Sequence, residues 1–159
     1  LRELAHILAV EPILVFAAIA LYLTTGSWSL EGILTSDTVP LLSMPLLFAA
    51  LVLTVPMVLK RSPFDISEAH QEIIGGAEIE YSGLFYEAVY TAKWLEYIFV
   101  GVIVFLFGGS NYLLGALLVG LTFLFVWLLD NSTTRLTVHH MMKFAWGILL
   151  PLAAFNIFW

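Results

Sequence analysis

Asp65, Glu68, Glu72, Glu78 and Glu80 crowd into the stretch from Arg61 to Gly83, where no Lys or Arg follows Arg61 to neutralise them. Asp65, Glu68 and Glu72 fall at i, i+3 and i+7, which puts three carboxylates on one face of a helix beginning near Asp65. Asp65 and Glu68 also fit a capping box, a purely structural alternative for those two. Glu72 has no capping role, and Gly75-Gly76 ends the helix. A second helix starting between Glu78 and Tyr81 places Glu80 and Glu87 two turns apart on a shared face. Carboxylates gathered in this way resist simultaneous charging and can share and pass protons. The chemistry on offer is proton exchange.

Three more ionisable residues stand inside apolar runs: Glu11, Lys93 and Glu96. A charge at bilayer depth costs at least about 2.5–3.5 kcal/mol, so such groups face a protein interior or a wet cavity. Lys93 and Glu96 lie at i and i+3, and two roles stay open for them: a mutual ion pair that lets the helix insert, or a place on a proton path. Glu11 lies close to the start of its run, where snorkelling to the interface is one account. It also precedes Pro12, where a broken backbone turn can admit water.

Other chemistries find little support. The sequence has no cysteine, so it can hold no iron–sulfur cluster, disulfide or thiolate zinc site. His139 and His140 are adjacent and point to different sides of a helix, while His6 and His70 are isolated, so no metal site is expected. Ser82 and Ser132 lack a base at motif spacing, and nucleophilic catalysis is not expected. The net charge of −6 contains no basic cluster suited to nucleic acid.

The elements that must position these residues are membrane helices. Of 159 residues, 61% are hydrophobic and 11% charged, and the mean hydropathy is +0.98. A soluble domain carries about 25% charged residues. The expected fold is all-α: a polytopic transmembrane bundle of about five spanning helices, each needing about 20 apolar residues. Apolar runs place the spans at roughly 7–25, 39–59, 88–107, 112–129 and 144–159, with a polar, acidic segment at 60–83. The whole chain is expected to form one membrane domain. Both ends read as cut from a longer chain.

Arg2, Lys60, Arg61, Arg135 and Lys143 fall before the first span, between the second and third, and between the fourth and fifth; the other two loops carry no basic residue. The positive-inside rule then puts the N-terminal end and the acidic segment on the cytoplasmic face of a cell membrane. Most of Trp28, Trp94, Trp127, Trp146 and Trp159 fall near span ends, as an interfacial belt requires. No internal repeat supports an independent secondary transporter.

The central stretch resembles a known family. Pro63-Phe-Asp65, Glu68-Ala69, Gln71-Glu72, Gly76 and Glu80-Tyr-Ser-Gly83 are similar, in order and spacing, to the signature loop of the NuoH-type membrane subunit of respiratory complex I and of its counterparts in membrane-bound energy-converting [NiFe] hydrogenases. Arg2 with Glu11-Pro12 resembles the start of the family's fourth helix, and Lys143-Phe-Ala-Trp146 with Leu150-Pro151 its last. The chain would then hold the last five of eight helices.

The resemblance implies a membrane anchor for a cytoplasmic redox arm. Asp65, Glu68, Glu72 and Glu80, with Glu11 and Glu96, would be ion-coupling carboxylates, and Lys93 an intramembrane partner. Pro63, Phe64, Glu78, Tyr81 and Gly83 would form a loop docking partner subunits. Those partners would be catalytic and iron–sulfur subunits, antiporter-like and small membrane subunits, and the lipid bilayer. Iron–sulfur clusters and a nickel–iron centre would reside in partners, with no cofactor in this chain.

Departures refine the expectation. Ser67 replaces the Pro common in complex I, His70 a Glu, and Glu78 a His. Glu96-Tyr97 falls about one helical turn later than the family's third-span Glu-Tyr, and Lys93 stands nearer the expected place. Asp130-Asn-Ser-Thr-Thr-Arg135-Leu lacks the Pro-Arg-x-Arg-x-Asp-Gln run of quinone-reducing members and is closer to the Asn-x-x-Ala-Arg-Leu segment of hydrogenase-type members. A hydrogenase-type coupling subunit is therefore the leading expectation. A quinone-binding subunit of NADH:quinone oxidoreductase and a purely structural anchor are the alternatives.

Overall fold

The computed structural model describes residues 2–65 and 82–158. Helix α1 runs Arg2–Thr25, followed by α2 (Leu30–Leu34), α3 (Pro40–Ser43), α4 (Pro45–Val58), α5 (Leu84–Leu106), α6 (Tyr112–Ser132), α7 (Val138–Phe144) and α8 (Leu150–Phe158). One wide π turn, Ala145–Leu149, joins α7 to α8 in a continuous helical run. Pro151 gives a physical reason for that turn, since its ring would clash with the carbonyl of Gly147 in a regular helix.

Four segments are long and apolar enough to cross a membrane: Leu4–Thr25, Leu84–Leu106, Tyr112–Ser132 and Val138–Phe158. Together they make the chain a multi-pass, all-helical membrane protein, as expected. The first begins before Ile7 because Leu4 and Ala5 are good helix formers. The last begins at Val138 because Thr137 caps it, its hydroxyl accepting from the backbone N–H of His140. The final run is therefore longer than its apolar part alone suggested.

The expected second span, 39–59, is the one that differs. It divides at Met44 into α3 and α4, and α4 has only 14 residues, about 21 Å of helix, short of the roughly 30 Å hydrocarbon core. Pro45 is the cause, because proline pushes the preceding residue out of the helical region; Met44 has φ −133° and ψ 64°. The freed N–H groups of Leu46 and Leu47 donate instead to Asn156 Oδ1 on α8, at 2.9 and 3.1 Å.

α4 lies at the centre of the bundle, with Leu47, Ala50, Val55 and Met57 fully buried. Ala17, Ala20 and Leu21 of α1, Val100 and Val104 of α5, Leu118 and Val126 of α6, and Ala153 of α8 share its main core. A second core joins Val10 and Ile13 of α1 to Met57, Phe64, Met141 and Leu149. Outward positions are apolar as well, with Leu113 more than four-fifths exposed and Leu117, Leu121 and Leu124 about half exposed, as suits a surface meeting lipid.

The connections sort to two ends. At one, Leu41 N–H donates to Phe107 O at 3.1 Å, joining the start of α3 to the α5–α6 turn. That turn needs glycine: Gly109 has φ +59°, and a Cβ on Gly108 would lie 2.6 Å from Gly115. At the other end, the residues after α4 meet the α6–α7 connection, so the loops bearing Lys60, Arg61 and Arg135 lie together.

Candidate coupling site at the root of the acidic segment

The described start of the acidic segment, Lys60–Asp65, is held on several sides. Ser62 N–H donates to Asp130 Oδ1 at 3.0 Å, and the Ser62 hydroxyl donates to the Thr133 carbonyl at 3.0 Å. Leu136 N–H donates to the Pro63 carbonyl at 2.9 Å. The last two bonds form because Thr133–Thr137 runs between two helices, where the Thr133 carbonyl and the Leu136 N–H need partners outside a helix. Arg61 adds a lateral tie, its Nε donating to the Tyr97 hydroxyl on α5 at 2.8 Å, with Asp130 Oδ2 a looser 3.9 Å from its Nη1.

Asp65 ends the clasp. Its Oδ2 lies 3.0 Å from Arg135 Nη2, the side chains being 21% and 38% exposed respectively, so the pair is better shielded than a surface ion pair. The other oxygen, Oδ1, is buried and has no hydrogen-bond partner among the described residues. Phe64 anchors the turn from beneath, 5% exposed and stacked on Phe144 at a 6.2 Å centroid distance.

Glu68, Glu72, Glu78, Glu80 and Tyr81 lie outside the described residues, as does the helix expected from Asp65 to Gly75. Pro63 and Phe64, expected in the partner-docking loop, are both buried, Phe64 in a core with Met57 and Met141, where an aromatic ring gains more than in water. Gly83 is exposed and precedes α5 with φ +58°.

Glu11 is exposed, on the side of α1 opposite buried Ala9, Val10 and Ile13. It stands further into its helix than the apolar run indicated, since about two turns precede it once α1 begins at Arg2. Lys93 and Glu96 line a cleft with Lys60 and Arg61. The Arg61–Tyr97 bond sets this part of α5 level with the end of α4. Lys93 and Glu96 therefore stand beside the root of the acidic segment rather than deep in the apolar core.

Sequence reasoning passed over Asp130, Ser62 and Tyr97 as partners of the acidic segment. A signal existed for Asp130 and Arg135: an acid near the end of α6 and a base in the α6–α7 connection, which loop charge puts on the same side as Arg61 and Asp65. Nothing local marks Ser62 or Tyr97.

A model of the NADH dehydrogenase family matches residues 1–159. The chain belongs to the NADH dehydrogenase family. Among its relatives is the H subunit of the NADH-quinone oxidoreductase of Syntrophotalea carbinolica, 30% identical over an alignment covering 99% of this chain and 51% of the relative. The corresponding H subunits of Brevibacillus brevis and Dehalococcoides mccartyi are each 31% identical, again over 99% of this chain, and covering 51% and 47% of their own lengths. This NADH dehydrogenase family chain thus spans about half the length of these relatives. The expected resemblance to a NuoH-type subunit is borne out.

Proposed function

We propose that the chain is the membrane-anchor and ion-coupling part of a complex I-related energy-converting oxidoreductase. Electron transfer in a partner arm would move the acidic segment, and the Asp65, Glu68, Glu72 and Glu80 carboxylates, with Glu11 and Glu96 in the membrane, would pass the effect to proton or Na⁺ translocation. The observation that carries this reading is the Asp65 clasp: the acidic segment is fixed at its root to the α6–α7 connection by Arg135 and Asp130, so a displacement along it reaches the bundle. The single-domain organisation, the cytoplasmic placement of the N-terminal end and acidic segment, and docking of redox-arm and membrane subunits through Glu78, Tyr81 and Gly83 belong to the same proposal.

On the electron acceptor, the Asp130–Leu136 sequence favours a hydrogenase-type complex, while kinship with NADH-quinone oxidoreductases favours quinone. Glu72→Gln or Glu80→Gln in the assembled complex is expected to preserve assembly and electron transfer to a soluble dye and to abolish ion pumping. Unchanged pumping would refute the coupling role. The subunits that co-purify, nickel–iron or quinone-binding, decide between the acceptors.

A further inference from the structure

Between the end of α4 and the middle of α5 lies a cleft of about 310 Å³, roughly ten times the share of volume of one liquid water. Its charged lining is three cations, Lys60, Arg61 and Lys93, against one carboxylate, Glu96. None of the four is loose: each interacts with another group of the chain, and Arg61 is fixed by the Tyr97 hydroxyl. A second hollow, about 460 Å³, shares Trp94 and Tyr97 with the cleft and continues along α5 and α6. Its remaining lining is Ile98, Gly101, Val102, Phe105, Val119 and Phe123, all uncharged. A cationic cup at the end of a membrane helix thus opens into an apolar trough running along the helices.

We propose that cup and trough together bind one anionic phospholipid, its phosphate among Lys60, Arg61 and Lys93 and an acyl chain along Gly101. Both parts are needed. The cations complement a phosphate at the level where a bilayer carries its headgroups, while the apolar trough offers nothing to a free anion and a neutral quinone head, though its carbonyls accept hydrogen bonds, brings no negative charge to balance three cations. Gly101 keeps the trough open, because the position where its Cβ would lie is in ordinary contact with Phe123 at 3.6 Å; alanine fits there and a larger side chain fills the space. The proposal goes beyond the coupling role and does not depend on it.

Native mass spectrometry of the full chain, reconstituted in equal phosphatidylglycerol and phosphatidylcholine and then released from detergent, tests it. Phosphatidylglycerol is expected to be retained about tenfold over phosphatidylcholine. Lys60→Gln and Lys93→Gln should each reduce that preference about fivefold, the effect of one juxtamembrane cation. Gly101→Leu should lower retention of both lipids, and Gly101→Ala should leave it unchanged. Should a charge variant unfold, rising salt on the unaltered chain gives the same answer, weakening phosphatidylglycerol alone. Equal retention of the two lipids, equal competition by inorganic phosphate, or displacement of phosphatidylglycerol by a short-chain quinone would overturn the proposal.

Discussion

Asp65 and Arg135 form the residue pair on which the coupling reading rests, and their interaction is measurable. The pair sits between an exposed ion pair, worth about 0.2–1 kcal/mol, and a buried one, whose breakage costs about 3–5 kcal/mol. Asp65→Asn and Arg135→Gln are each expected to lower stability by about 1–3 kcal/mol, with the double variant costing less than their sum, as thermal melting in detergent micelles would show. Asp130 acts differently, since its Oδ1 accepts from the Ser62 backbone. Asp130→Asn keeps an acceptor and is expected to be mild; Asp130→Leu strands that N–H and should cost about 1–3 kcal/mol. In sequence, Asp65 was legible because it falls at helical spacing from Glu68 and Glu72. Its partner was not, because pairing across 70 residues depends on which loops share an end of the bundle, and no local pattern records that.

Elements were legible where one strong signal dominated. The apolar runs of α1, α5 and α6 come close to the roughly 20 residues a bilayer needs, so their existence followed from composition. The break of the second span did not follow, although Pro45 was visible, because proline inside a spanning helix can either kink it or end it. The outcome turned on Asn156, far along the chain, which satisfies the N–H groups the break exposes. The α5–α6 hairpin depends on close backbone approach at Gly108 and Gly115. Gly108→Ala is expected to impair folding of the hairpin, since a methyl group there meets backbone at 2.6 Å. Gly120→Ala meets nothing within 4 Å and should be neutral or stabilising by about 0.5–1 kcal/mol; paired melting curves distinguish the two.

For the whole molecule, loop charge and the observed contacts agree on which connections share an end, and the absence of cysteine provides a clean background for testing which end faces the cytoplasm. Single cysteines at Asp37 and Ser110 are expected to label from outside intact cells with a membrane-impermeant maleimide, and those at Ser82 and Thr134 only after permeabilisation; the reverse pattern would invert the proposed orientation. The Asn156 bond to the start of α4 also has a consequence for biogenesis. The acceptor is made 109–110 residues after its donors, a delay of about 5–20 s at ordinary elongation rates of about 5–20 residues per second. Throughout that interval Leu46 and Leu47 must keep their N–H groups on water or a chaperoning surface, so the start of α4 settles only once Asn156 of α8 has left the ribosome.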